Sequence, residues 1–163
     1  MASGTIAHAW ISSYLTDRKQ FITIKGERSK ETLKDCDVPQ GSILGPNLYE
    51  DYTAAPIGDI CRRHGVLFHI YADDTQVYLA FPPGEEQSAI EKLECCLHEI
   101  KSWMTNNWLQ LNDSKTEFII VGSEKNLSSL SRSNITVGEC MIPTSTAVKS
   151  IGVVFDCHLK MDK

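Results

Sequence analysis

The 163-residue chain carries 16 basic and 21 acidic residues, a formal net charge of −5 at pH 7. Hydrophobic residues make up 42% and charged residues 23% of the sequence, as in a globular protein with one core rather than a disordered or fibrous chain. No apolar run has the length of a transmembrane helix, which predicts no membrane partner. Nucleic-acid-binding proteins usually present a basic face, so the acidic balance argues mildly against strong autonomous binding.

The cysteines are scattered along the chain. They form no Cys-x-x-Cys pair, and no histidine lies at zinc-finger spacing, which argues against the usual zinc motifs. The scatter favours reduced thiols in an intracellular protein, cytoplasmic or nuclear, over a disulfide framework. We expect no disulfide partner, and we expect most of these side chains in or near the core. The six are Cys36, Cys61, Cys95, Cys96, Cys140 and Cys157.

The first fifth of the chain predicts a helix followed by a hairpin. Apolar residues recur at helical spacing from Ile6 and predict a short helix that ends near Leu15. Residues 21–24 predict a strand, and residues 25–29 a turn into a second strand near residues 32–33. Six basic residues lie between Arg18 and Lys34, interleaved with acidic ones. A phosphate-facing hairpin and a merely solvated one both remain open.

A loop rich in glycine and proline follows at residues 38–46. Proline fixes φ, glycine permits close backbone approach, and the Gln40 amide both donates and accepts hydrogen bonds. Such a loop can press against a nucleotide or a base-paired end, although an ordinary turn has the same composition. Pro46 suits the first turn of the helix that should follow, and Pro56 predicts a break or kink near Ala55.

Two adjacent carboxylates, Asp73 and Asp74, lie at the tip of a predicted hairpin between the apolar runs 66–70 and 75–79. Neighbouring like charges repel unless something neutralises them. Asp carboxylates around Mg²⁺ serve phosphoryl transfer, in which two ions clamp the attacking and leaving oxygens. The alternative is a solvated Asp-Asp turn. The flanking strands and the neighbouring motifs favour the metal site.

The rest of the chain predicts one long helix and two strands. Residues 85–107 place apolar side chains at steps of three and four, which predicts a helix with a core-facing stripe. Strands are predicted at residues 118–121 and 151–155, with a polar loop at residues 126–133. Because no repeat and no linker interrupts the pattern, we expect one α+β unit.

Pro-Gln-Gly-Ser-x-Leu-Gly-Pro at residues 39–46, followed by Tyr-Ala-Asp-Asp at residues 71–74, resembles the reverse transcriptases of non-LTR (LINE-type) retrotransposons. The resemblance extends from about Gly4 to Leu159. Further segments agree with that family in order and spacing: residues 13–20, 73–79, 108–112, 115–117 and 149–156.

The resemblance implies an α+β fold in which a polymerase palm-like antiparallel sheet is backed by helices, N-terminally truncated. Residues 1–163 would form a partial reverse transcriptase domain. Residues 4–60 would supply a fingers and palm segment with the Pro-Gln-Gly loop. Residues 61–122 would supply the metal hairpin, the long helix and the following strand of the palm. Residues 123–163 would lead toward the primer grip.

The resemblance also implies the chemistry, which is RNA-directed DNA polymerisation by a nucleotidyltransferase with Mg²⁺ or Mn²⁺. Asp73 would be the direct metal ligand and Asp74 a supporting carboxylate. Lys115 resembles the lysine that stabilises or protonates the pyrophosphate leaving group, where a cation offsets developing charge. The partners would be an RNA template, a DNA primer and dNTPs. The residues expected to contact nucleotide, template or primer end are Pro39, Gln40, Gly41, Tyr71 and Ala72.

The sequence also departs from the family pattern. In the family, a strand with a further metal-binding Asp precedes the segment that begins here, and Asp17 stands in the wrong context to replace it. Two carboxylates on one hairpin are not expected to hold two ions about 3.5–4 Å apart without a facing one. Asp37 also stands where the family usually has Gly. A second hypothesis is therefore a catalytically inactive retrotransposon-derived fragment or a module that binds nucleic acid or protein.

Overall fold

Helix α1, Ser3–Leu15, begins the first of two structural units, Met1–Tyr49 and Glu50–Lys163. The structure is a computed structural model that describes residues 3–34, 43, 45–72 and 74–160.

The first unit continues from α1 into an antiparallel hairpin of short strands. Its strands are β1 (Lys19–Gln20), β2 (Thr23–Ile24), β3 (Glu27–Arg28) and β4 (Thr32–Leu33). Strand β1 pairs with β4, and β2 pairs with β3. Lys25 and Gly26 turn the chain with φ values of 51° and 88°, and positive φ at both positions matches the twist of a two-residue hairpin. The predicted helix and the strands near residues 23–24 and 32–33 are confirmed, whereas residues 27–28 of the predicted turn form strand β3.

Acidic side chains neutralise part of the basic hairpin. The Glu31 carboxylate lies 2.8 Å from the Arg28 guanidinium and 3.4 Å from the Lys19 ammonium. The Arg28 guanidinium also stacks 3.4 Å above the centroid of the Phe21 ring. These side chains are all exposed, so the ion pairs of the hairpin lie at the surface and contribute little to stability. Whether it faces phosphates stays a prediction.

Helix α2, Gly45–Arg63, runs without interruption through Pro56. Of the predicted break or kink near Ala55, the break is therefore wrong. Proline lacks an N–H and removes one hydrogen bond from the ladder, but the helix continues because its following residues Ile57, Ile60 and Cys61 bury an apolar face.

The second unit contains three further antiparallel strand pairs around a long helix. The pairs are β5 (Leu67–Tyr71) with β6 (Asp74–Tyr78), β7 (Asn134–Val137) with β8 (Cys140–Pro143), and β9 (Ala147–Ser150) with β10 (Val153–Asp156). Helix α3, Glu86–Asn106, lies between the first two pairs in sequence. Within the described residues every ladder has two strands. The α+β class is confirmed, and the palm-like sheet stays a prediction.

Three predictions in the last third of the chain need correction. Residues 118–121 form no strand; Phe118 makes only a single parallel bridge with Thr144. The start of the predicted polar loop, residues 126–128, instead belongs to the short helix α4, Glu124–Ser128, which Ser123 caps by accepting a hydrogen bond from the Asn126 N–H. The predicted strand at residues 151–155 begins two residues later, because Ile151 and Gly152 form the turn with φ values of 48° and 80°.

The apolar stripe of α3 forms the centre of the core, as its periodicity predicts. Ile90, Leu93, Cys96, Ile100 and Met104 are buried at steps of three and four. The stripe packs in one cluster with residues from α2, from the β7–β8 pair and from the loops: Ile57, Ile60, Cys61, Val66, Ile120, Ile135, Val137 and Ile142.

No helix in the described ranges is long and apolar enough to cross a membrane.

A row of polar side chains on α3 binds the segment that contains β7. This polar edge consists of Glu86, Glu94 and Lys101. Glu86 accepts a hydrogen bond of 2.9 Å from the Ser131 hydroxyl. Glu94 accepts one of 2.6 Å from the backbone N–H of Thr136 and also pairs with Arg132. Lys101 donates to the Val137 carbonyl at 3.4 Å. Separations of seven and eight residues return to the same side of a helix, so the three groups form a line.

Two buried thiols meet where α2 and α3 pack together. Cys61 and Cys96 are fully buried, with their Sγ atoms 3.9 Å apart. Burial raises the pKa of the Cys96 thiol to about 12. Cys157 is half-buried, whereas Cys95 and Cys140 are exposed, so most of the described cysteines lie in or near the core, as expected; Cys36 lies outside the described residues. The five described cysteines are free thiols.

The core assignment predicts a large cost for truncating Ile135, which is 2% exposed on β7. Replacement by alanine leaves a cavity in a packed cluster, so Ile135→Ala should lower the free energy of unfolding by about 2–4 kcal/mol. Met141 lies on the paired strand but is 69% exposed, so Met141→Ala should cost less than about 0.5 kcal/mol. Urea denaturation followed by circular dichroism measures both, and equal losses would contradict this core.

Candidate active-site hairpin and lysine turn

The β5–β6 hairpin has one face on the core and one face exposed. Residues along a strand alternate between the two sides, and Phe68, Ile70 and Val77 pack against the core cluster. Leu67 and Tyr71 lie on the other face, where each is more than half exposed. The cross-strand partners are Leu67 with Tyr78, Phe68 with Val77, His69 with Gln76, Ile70 with Thr75 and Tyr71 with Asp74.

The tip of this hairpin carries three residues of the Tyr-Ala-Asp-Asp motif within the described chain. Tyr71 and Asp74 are paired across the strands, and both side chains are exposed. Ala72 has a φ of 53°, a left-handed conformation that costs a residue with a Cβ about 1–2 kcal/mol. Backbone strain of this kind concentrates at turns and functional sites. Asp73 lies outside the described residues.

A glycine in α2 lets the hairpin approach the helix closely. A Cβ on Gly58 would lie 2.8 Å from Cζ of Phe68, which is shorter than real Cβ contacts. The Arg62 guanidinium lies 5.5 Å from the centroid of the same ring. The ring of Phe68 is therefore seated against α2, and this contact fixes where β5 lies on the core.

A side-chain hydrogen bond ties the hairpin to the C-terminal strand pair. The Gln76 amide donates to the Ser150 hydroxyl, and both side chains are half-buried. Gln76 lies on the exposed face with His69, whereas Ser150 ends β9. Sequence reasoning missed this contact, although both residues belong to segments that resemble the family. The spacing of 74 residues between them carries no local signal.

Lys115 ends a short 3₁₀ turn, Asp113–Lys115, that is held together by Asn112. The Asn112 carbonyl accepts hydrogen bonds of 3.1 Å from the Lys115 N–H and the Thr116 hydroxyl. Its side-chain oxygen accepts one of 2.7 Å from Ser114. Lys115 is exposed. In the described part of the chain no hydrogen bond or ion pair joins Lys115 to Tyr71 or Asp74.

A lysine of α3 binds the same turn. The Lys101 ammonium lies 2.8 Å and 3.0 Å from the two carboxylate oxygens of Asp113. This hydrogen-bonded ion pair lowers the pKa of Asp113 below its ordinary value. The Cys140 thiol, 3.5 Å away, also donates to the Asp113 carboxylate. Sequence reasoning missed both Lys101 and Asp113, because no motif marks a pair 12 residues apart across a helix end.

The expected metal ligands are placed only in part. Asp74 offers carboxylate oxygens, the donors that Mg²⁺ and Mn²⁺ prefer, and its exposed position leaves them accessible. Among the residues that the structure describes, no three His, Cys, Asp or Glu side chains form a metal-binding group. The donor chemistry therefore fits a hard divalent ion, and the described ligands do not complete its coordination. The predicted nucleotide-binding residues Pro39, Gln40 and Gly41 lie outside the described residues.

Comparison with known proteins decides the family. Residues 1–155 match the family of reverse transcriptases (RNA-dependent DNA polymerases). The chain belongs to this family. No solved structure matches.

Curated relatives of this chain are transposon proteins of Drosophila melanogaster. The chain is 25% identical over 154 residues to a probable RNA-directed DNA polymerase from transposon X-element, covering 94% of the chain and 16% of the relative. It is 25% identical over 158 residues to the RNA-directed DNA polymerase from mobile element jockey, with the same coverage. It is 30% identical over 110 residues to the probable polymerase from transposon BS, covering 65% of the chain and 12% of the relative.

These matches confirm the assignment to the non-LTR retrotransposon reverse transcriptases. The chain spans 16% of the length of the first two relatives, so the activity of a whole polymerase is not transferred with the family. The matched region includes the hairpin, the Asp113–Lys115 turn and Ser150.

The strained turn at Ala72 predicts a stabilising substitution. Ala72→Gly should relieve the left-handed strain and raise the free energy of unfolding by about 0.5–1 kcal/mol, after the entropic cost of glycine. Ala80 follows β6 without a positive φ, so Ala80→Gly should instead lower it by a similar amount. Urea denaturation compares the two, and a loss of stability in Ala72→Gly would contradict the strained turn.

The Lys101–Asp113 pair predicts a pH dependence. Because the pKa of Asp113 is lowered in the folded protein, its stabilisation is fully present above the ordinary value of 3.8 and is lost as pH falls through the folded value. The stability difference between wild type and Asp113→Asn should therefore shrink between pH 6 and pH 3. Denaturation curves at both pH values measure it. In a Lys101→Met background the same difference should change much less with pH, and an equal change would assign the effect to another partner.

Proposed function

We propose that this chain is the palm region of an RNA-directed DNA polymerase that adds nucleotides to a primer 3′-hydroxyl. The observation that carries the proposal is an exposed hairpin with Tyr71, Ala72 and Asp74 at its tip, within the segment that matches the family. Residues 4–60 would supply part of the fingers, residues 61–122 the palm, and residues 123–163 the approach to the primer grip. An RNA template, a DNA primer and dNTPs are the proposed partners.

Asp73 and Asp74 would hold a divalent metal at the hairpin tip. Bound there, Mg²⁺ or Mn²⁺ would neutralise triphosphate charge and favour the attacking form of the primer hydroxyl. Phosphoryl transfer depends mostly on positioning and electrostatics, so the chain's own task is to hold these carboxylates rigidly. The packing of Phe68 against Gly58 and the bond from Gln76 to Ser150 support that rigidity.

The neighbours of the carboxylates would shape the floor for the primer end. Tyr71 is 59% exposed and offers a flat ring beside Asp74. Ala72 keeps the tip free of bulk, which allows nucleic acid to approach the carboxylates. Pro39, Gln40 and Gly41 would contact the template and the incoming nucleotide from their own loop.

Lys115 would act on the leaving group. Pyrophosphate gains negative charge as the bond to the α-phosphorus breaks, and a nearby ammonium stabilises that charge or donates a proton to it. The exposed position of Lys115, with no ion-pair partner among the described residues, keeps its ammonium available.

The metal site predicts selective binding of Mn²⁺ at the hairpin. In a titration followed by NMR, Mn²⁺ should first broaden the amide signals of residues 70–76. Asp73→Ala and Asp74→Ala should each weaken the binding at least about tenfold, since even the loss of a second-shell partner costs that much. Asp51→Ala removes an exposed carboxylate from α2 and is the matched control. Equal weakening in the control would place the metal elsewhere.

Primer extension on poly(rA)/oligo(dT) tests the activity of this chain. Incorporation that persists in Asp51→Ala and is lost in Asp73→Ala supports the polymerase proposal. Selective Mn²⁺ binding without any incorporation would contradict polymerase activity in this chain alone and support the inactive binding module.

A further inference from the structure

Lys101 lies where three elements of the second unit meet. Its side chain leaves the last turns of α3 and reaches the Asp113 carboxylate and the Val137 carbonyl. These are three acceptor atoms for the three protons of one ammonium group. Lys101 is thus occupied by the protein itself, unlike the exposed Lys115 two residues beyond its partner.

A positive-φ glycine leaves room for this lysine. Gly138 follows β7 with a φ of 65°, and a Cβ there would lie 2.8 Å from the Lys101 Nζ and 3.1 Å from its Cε. A side chain at this position would displace the ammonium from Asp113. The turn between β7 and β8 therefore favours glycine for two reasons, its backbone conformation and the passage of Lys101.

Asp113 connects the lysine turn to the rest of the unit. The hydrogen bonds through Asn112 lie within residues 112–116 and do not reach another element. Leu111 and Phe118 pack against the core on either side of the turn. Between these two anchors, the side-chain bonds of Asp113 to Lys101 and to the Cys140 thiol are those that hold the turn against α3 and β8.

We propose that Lys101 is a positioning residue for the nucleotidyl-transfer site: through Asp113 it fixes the Asp113–Lys115 turn, and so holds the Lys115 ammonium where it meets the leaving pyrophosphate. The inference rests on the proposed role of Lys115. Lys101 does not itself touch the pyrophosphate, because its three protons are directed to Asp113 and Val137.

Positioning of the turn and simple electrostatics make opposite predictions for Asp113→Asn, so this variant distinguishes them. Asp113→Asn removes a negative charge two residues from Lys115, so simple electrostatics expects tighter binding of an anion. Positioning expects weaker binding, because the neutral amide loses its ion pair with Lys101 and the turn loosens.

The probe is inorganic pyrophosphate, titrated without divalent metal into the full 163-residue chain and followed by NMR. Lys115→Met should weaken binding at least about threefold, and Lys101→Met and Asp113→Asn should each do so by a similar factor, as for coupled neighbours. The double variant Lys101→Met/Lys115→Met should bind no more weakly than Lys115→Met. Lys92→Met, which removes an exposed lysine from the same helix, controls for net charge.

Each outcome decides a separate point. If Lys115→Met binds pyrophosphate as wild type does, the proposed role of Lys115 is wrong and the inference falls with it. If Lys115→Met weakens pyrophosphate binding while Asp113→Asn strengthens it, the role of Lys115 stands and positioning by Lys101 is wrong. The same conclusion follows if Lys101→Met weakens binding by the same factor in the Lys115→Met background as in wild type. Amide exchange at Lys115 and Thr116 should rise in Asp113→Asn while α3 stays protected, and loss of protection throughout α3 would reduce Lys101 to a general stabiliser.

Discussion

The polar edge of α3 is the interaction on which the second unit depends. An apolar stripe can bury itself in several registers, whereas Glu86, Glu94 and Lys101 fix one register through specific partners in residues 131–137. Burial alone would raise the pKa of Glu94, yet the Thr136 N–H and Arg132 overcome that effect and the net pKa is lowered. The carboxylate is therefore held in its charged form by the strand that it binds. From Lys101 the same edge continues into the Asp113–Lys115 turn.

Much of the fold can be predicted from local patterns. The α3 stripe repeats every three or four residues over about four turns, and the β5–β6 hairpin has apolar runs on both sides of a polar tip, so each signal is complete within its own segment. The β7–β8 pair was missed because residues 134–143 mix polar and apolar residues. The β7 strand is held in place by a hydrogen bond to Glu94 of α3, some 40 residues earlier in the chain. At Pro56 the local signal is overridden, because tertiary packing maintains α2 through a residue that disfavours a helix.

The candidate site likewise contains residues that short motifs predict and residues that only the folded structure reveals. Asp74, Tyr71 and Lys115 belong to short motifs, and family resemblance was enough to select them. Two side-chain pairs that bind the same segments, Gln76 with Ser150 and Lys101 with Asp113, are brought together only by the fold. A motif records the chemistry that a site requires. The supporting bonds depend on long-range packing, which no spacing in one sequence reveals.

The thiol pair between α2 and α3 offers a use unrelated to catalysis. Thiol reagents attack the thiolate, and Cys61 and Cys96 are both shielded from solvent and held protonated by burial. Cys95 and Cys140 are exposed, so they react first. Reaction at the buried pair requires the two helices to separate, and its rate therefore measures how often the core opens. The chain thus carries its own reporter of helix separation, readable by mass spectrometry without any introduced label.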